Sequence, residues 1–137
     1  MGQYGKVAVK AVELIKSGKV KKDKPREAWE TAATEEIEAK SSREKSCPRC
    51  AFLGLYEEGK IKGIPPREPG EYTRSKESRR YALEAVSVLG EVPKLSQRKT
   101  KLWEKVKKRV GRENRNDEDE MDVVIALWNK NLIVRKT

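Results

Sequence analysis

Both cysteines of the chain stand together in Cys47-Pro-Arg-Cys50. A helix start and a neighbouring Arg49 both favour a thiolate, so the pair has the residue types for reversible thiol chemistry. Redox oxidoreductases use the same C-P-x-C spelling, but on the strand-to-helix turn of a βαβ unit, and no such unit is legible here. Zinc needs four ligands. One cysteine pair in a chain without histidine cannot close that site unless two chains share it. Cys47 and Cys50 therefore read first as structural or incidental, with a reversible local disulfide and an intermolecular metal as alternatives. No resident metal or cofactor is expected.

The acidic run Asp117, Glu118, Asp119, Glu120 and Asp122 invites a second metal reading. Carboxylates before a helix offset the positive end of its dipole, and that suffices to explain the run. A nucleophile paired with a base, a glycine-rich phosphate loop and a histidine base are all missing, so the chemistry points away from an enzyme.

Positive charge is the stronger signal. The net charge is +10, and it is clustered: residues 94–115 hold ten Lys and Arg against two Glu, a net of +8. Within that stretch Arg98, Lys101, Lys105, Lys108 and Arg112 recur at spacings of three and four, opposite Leu102, Val106 and Val110. That spacing lays five cations along one helix face. The basic loop Lys19–Lys24 and the group Arg74, Lys76, Arg79 and Arg80 are expected to extend the surface. Such a surface binds phosphates without reading sequence.

The elements that must carry these groups are helices. Tyr4, Val7, Ala8, Ala11, Val12 and Ile15 recur at helical spacing up to Gly18, and Pro25 opens a second helix with Ala28, Trp29, Ala32, Ala33 and Ile37 inward. A third, central helix starts near Ser46, taken as its cap, and runs apolar from Cys50 to Tyr56 until Gly59. It is too short to span a bilayer, which takes about twenty residues. Three prolines between Ile64 and Gly70 mark a loop with a restricted backbone, and Ser75 is a plausible cap for the helix that follows.

The pattern then repeats. Ala82, Ala85, Val86 and Leu89 echo Ala8, Ala11, Val12 and Ile15; Trp103 echoes Trp29; and Val123–Ile133 aligns without a gap onto Ala51–Ile61. Asn131 falls on Gly59, and these two residue types most readily take the left-handed conformation that stops a helix. One unit of about seventy residues barely buries its central helix, and a second copy covers it. The expectation is an all-α fold of six helices, built as a tandem duplication of a three-helix unit. Pseudo-repeats 4–64 and 76–134 would form one compact domain over 1–137, with short strand-like extensions after the third and sixth helices.

Cys47-Pro48-x-x-Ala51-Phe52-Leu53-Gly54-Leu55, Gly63-Ile64-Pro65, Tyr72-Thr73-x-Ser75, Tyr81-Ala82 and Met121-Asp122-Val123-Val124-Ile125-Ala126-Leu127-Trp128 together resemble an uncharacterised prokaryotic family, a domain of unknown function. The resemblance covers nearly the whole chain. It departs at Cys50, where the family carries Gly or another small residue, and in a basic insertion around Lys107–Arg115. It supports the domain boundaries and adds nothing about chemistry.

The function expected from these residues is a non-enzymatic accessory or regulatory module that meets DNA or RNA through the basic stripe, without sequence specificity. A protein-interaction scaffold with a solubilising surface is the alternative, and a thiol redox protein the third reading. The central apolar helix is a poor groove reader, because Cys50 to Tyr56 offers no polar face for base edges. Lys6 and Lys10 interrupt any signal-peptide core, so a cytoplasmic protein without membrane contact is expected.

Overall fold

A computed structural model describes residues 2–68, 70–73, 76–112 and 114–135. The chain is all-helical. Six helices have ten or more residues: α1 (Gln3–Lys16), α2 (Pro25–Glu36), α4 (Ser46–Glu57), α5 (Lys76–Glu91), α6 (Lys99–Val110) and α7 (Glu120–Asn129). The four-residue turn α3 (Lys40–Arg43) leads into α4, and a 3-10 turn over Pro93–Gln97 leads into α6. None of the described helices is long and apolar enough to cross a membrane.

Periodicity explains which face each outer helix buries. Val7, Ala8, Ala11 and Val12 of α1, and Ala82, Ala85, Val88 and Leu89 of α5, have no exposed surface; Val86, expected inward, is only half-buried, and Val88 takes its place. The central helices have no outer face to spare: Cys50–Glu57 of α4 is buried throughout, as are Met121, Val123, Val124, Ala126, Leu127 and Trp128 of α7. A helix that is apolar on most sides needs neighbours on most sides. α4 packs on α2, α5 and α7, and α7 packs on α1, α4, α5 and α6. The first helix of each half thus lies against the last helix of the other: α5 on α4, and α1 on α7.

Both central helices end in the same way. Gly59 and Asn131 take positive φ, 71° and 59°. Behind them the Lys60 amide donates to the Leu55 carbonyl at 3.0 Å, and the Leu132 amide to the Leu127 carbonyl at 2.9 Å. This closure satisfies carbonyls that the helix end would orphan. It also turns the two exits toward each other. Ile61 and Ile133, both fully buried, form an antiparallel bridge, with the Lys62 amide on the Leu132 carbonyl at 2.9 Å and the Val134 amide on the Lys60 carbonyl at 2.8 Å. The strand-like extensions thus amount to this single bridge. The glycine is needed only at the first stop, where a Cβ would meet the Pro66 ring at 3.0 Å.

Two expected caps change. Lys45 occupies the N-cap position of α4 and Ser46 is its first helical residue, with no side-chain cap bond. The expected cap Ser75 lies outside the described residues.

Leu53 and Leu127 are both fully buried. Leu53→Ala or Leu127→Ala is expected to destabilise by about 2–5 kcal/mol, the range for large-to-small core changes. Urea unfolding measures it, and a loss well under 1 kcal/mol would mean that α4 and α7 are not the core.

Candidate nucleic-acid interface

Helix α6 is fastened along one side. Leu102, Trp103 and Val106 are buried, and the Tyr81 ring stands edge-on to Trp103 at 5.0 Å. Gly111, at φ 84°, closes the helix, with the Arg112 amide on the Lys107 carbonyl at 2.9 Å.

The cations on and beside this helix fall into two groups. One group is tied to acids. Lys99 Nζ lies 3.0 Å from Asp122, and Arg109 reaches Glu91 at 2.7 Å and Glu84 at 3.3 Å. Donating to Glu91 raises the Arg109 pKa further, and donating to Asp122 raises that of Lys99. Just beyond the helix, Arg115 bonds Glu120, a fully buried carboxylate, at 2.8 and 3.2 Å, and lies over the Tyr81 ring at 4.4 Å.

The other group is the stripe. The side chains of Arg98, Lys101, Lys105 and Lys108 are exposed and make no ion pair or hydrogen bond among the described residues, although Lys105 acts on Glu91 through space; Arg98 is the N-cap, one residue before the helix, and Arg112 lies beyond its end. Arg112, two-thirds exposed, makes one loose contact with Glu77 at 3.7 Å. Glu104, also exposed, flanks the row.

The expected extensions of this surface do not all join it. Arg79 turns inward. Gly54 lets α5 close on α4 so tightly that a Cβ there would lie 3.1 Å from the Arg79 Cα. Arg79 then pairs with Glu58, and its Nε lies 3.1 Å from the Glu57 carboxylate. Glu57 is fully buried and accepts the amides of Gly70, Tyr72 and Thr73 and the Thr73 hydroxyl, at 2.5–3.1 Å. Arg79 is therefore a structural counter-ion. Lys76 and Arg80 stay exposed on the rim of an open groove of about 830 Å³. Glu77, Glu84 and Glu91 reach from α5 to the arginines of α6, so an acidic row separates the Lys76–Arg80 group from the stripe. Arg74 lies outside the described residues. The loop Lys19–Lys24 sits at the end of α4, where the Lys22 carbonyl accepts the Tyr56 hydroxyl at 2.5 Å. α6 packs instead on α5, α7 and the 3-10 turn.

The thiols are free, with Cys50 buried and Cys47 partly so. Cys47 Sγ lies 3.9 Å from Arg115 Nη2. Every carboxylate of the acidic run is engaged. Asp117 accepts the Met121 amide at 3.3 Å, and Lys45 holds Glu118 at 3.2 Å and Asp119 at 2.5 Å. Glu120 holds Arg115, and Asp122 holds Lys99. These pairs tie the starts of α4 and α6 to the start of α7.

Arg115 is the residue that sequence reasoning passed over. It reads there as the tail of a basic insertion, yet it clamps two helices. The one available signal was its place directly before the acidic run.

Fold and surface together define a small all-helical protein with a basic outer helix. The chain belongs to the Family of unknown function (DUF6979), whose model matches residues 1–134. Neither a curated protein nor a solved structure matches it.

Burial pushes the Asp117 carboxyl up to about 6. A raised carboxyl pKa means that the folded state holds the proton more tightly. Asp117 therefore subtracts stability as pH rises from about 4, the unfolded value, to about 6, and the loss stays constant above. Asp117→Asn keeps an oxygen for the Met121 amide and removes the titration. Relative to wild type, it is expected to gain about 1–2 kcal/mol between pH 4 and pH 7, a figure reduced for the group's partial exposure. Urea midpoints at the two pH values test this; an equal difference at both would contradict it.

Proposed function

We propose that the protein is a non-enzymatic accessory module that binds nucleic acid through the phosphate backbone, using the outer face of α6. The sorting of the cations carries this reading. Lys99 and Arg109 are ion-paired with acids of neighbouring elements, while Arg98, Lys101, Lys105 and Lys108 form no ion pair among the described residues. Three like charges on one face of α6, with Arg98 at its N-cap, outweigh the single Glu104 among them and raise the energy of the free helix. A phosphate backbone relieves that repulsion and releases its own condensed counterions. Lys and Arg donors meet phosphate oxygens whatever the sequence, so the row is suited to positioning a backbone. This reading takes the working compartment to be the cytoplasm, where free cysteines stay reduced; fractionation that places the protein outside the cell would count against it.

A second reading is favoured by one observation. A groove of about 550 Å³ between α5 and the C-terminal segment is lined by Leu83, Val86, Pro93 and Val134, and Val134 is the one exposed large hydrophobic among the described residues. It supports a protein contact in place of, or beside, nucleic acid.

The fold reading adds that the halves are copies of one unit. The matched helix stops and the bridge between equivalent residues support it. In a crystal structure, residues 4–61 superposed on 78–133 should bring Trp29 over Trp103. Tryptophans at unrelated positions would overturn the duplication.

The functional test is a salt titration on a mixed-sequence duplex. Wild-type affinity is expected to fall with a slope of about −0.9 per phosphate neutralised. A Lys101→Gln, Lys105→Gln, Lys108→Gln variant should bind more weakly and flatten that slope by roughly two to three units. Its fold should persist, since all three side chains are exposed. Absence of wild-type binding at low salt would make the stripe a solvated face and leave the protein-contact reading.

A further inference from the structure

We infer that the stripe on α6 selects duplex nucleic acid over single strands, a conclusion that rests on the backbone-binding reading above. Two observations lead to it. The first is where the aromatic rings lie. Proteins that hold single strands combine a positive track with aromatic platforms on which successive bases stack. This chain has three tryptophans, one phenylalanine and four tyrosines. All three tryptophans, Phe52, Tyr4, Tyr56 and Tyr81 are buried. Tyr72 is half-buried and turned edge-on to Tyr56, with its carbonyl held by Arg26, away from α6. The face of α6 beside the stripe thus presents bases with methylenes and charge, not a ring.

The second observation is the stiffness of the row. Its helix is held by Leu102, Trp103, Val106 and the Arg109 ion pairs, so the row's backbone cannot bend to follow a flexible chain and the cations adjust only within the reach of their stems. From Arg98 to Lys108 the row runs about 15 Å, at about 1.5 Å per residue. A duplex carries one charge per roughly 1.7 Å of axis and each strand one per roughly 3.4 Å, so the row lies in the field of about nine phosphate charges on a duplex and about four on a stacked single strand. A single strand must also lose conformational freedom to lie along the row, with no stacking to offset that loss. A duplex is already straight over this distance.

The experiment compares a mixed-sequence duplex with an unstructured single strand of equal nucleotide length per strand, by fluorescence anisotropy at two salt concentrations. Wild type is expected to bind the duplex at least about fivefold tighter at low salt, with a steeper salt slope, since each phosphate contact contributes about −0.9 on duplex and −0.7 on single strand. Glu104 supplies an independent lever. Glu104→Gln removes an anion beside the row and should strengthen both ligands alike. Glu104→Trp adds the missing platform and should strengthen the single strand by a further fivefold or more over Glu104→Gln, the scale of one stacked base. Equal or tighter single-strand binding by wild type overturns the inference and leaves the backbone-binding reading standing. A Glu104→Trp effect no larger than that of Glu104→Gln shows that missing stacking is not what disfavours single strands, which also overturns it. Binding to neither ligand removes both.

Discussion

Neither central helix can be buried by its own half of the chain, and the arrangement follows from that constraint. α4 and α7 are buried on nearly every side, and each half offers only two other long helices. The halves resolve this by exchange, each lending its first helix to the other's last. α6 is left with a partner on one side and solvent on the other. The basic face exists because the core needed only half of that helix.

Charge completes what apolar packing begins. Two fully buried carboxylates sit where the chain must make a turn that helices cannot. Glu57 gathers the amides of the loop before α5, and Glu120 holds Arg115 in the loop before α7. A buried carboxylate is costly unless its oxygens are fully bonded. Each therefore fixes its loop strictly, and in doing so determines which cations stay inside. Arg79 and Arg115 are used up by these anchors; Lys101, Lys105 and Lys108 are not.

Much of the architecture was legible in the residues, because helices announce themselves through period and stop signals. The faces of α1 and α2 and the ends at Gly18, Gly59, Gly111 and Asn131 could be read letter by letter, while on α5 Val88 takes the buried place expected of Val86. What lay beyond reach was partnership. Period says which face is buried and nothing of what buries it, so the lending of α1 to α7 was not foreseeable. A run of arginines looks the same whether its members face water or acid; Arg79 counted as surface charge until Gly54 and Glu57 drew it inward. The stripe on α6 was found because opposed apolar and basic faces are visible in the spacing, while Arg115 was not, since its acid partner lies across an irregular loop. Ser46 missed the cap position by one residue, within the margin at which helix ends are set by geometry more than by residue type.

The packing of α1 on α7 joins the earliest described helix to the latest. Val7, Ala8 and Ala11 have no exposed surface in the finished protein, yet α7 begins only at Glu120. Until α7 is made, α1 has α2 beside it but lacks the neighbour that covers the rest of its face, and the docking that supplies it joins elements remote in sequence. Loop closure over that span is slow compared with local pairing. The core is therefore completed only once α7 docks. Protease protection of α1 in nascent chains released before Glu120 would contradict that order.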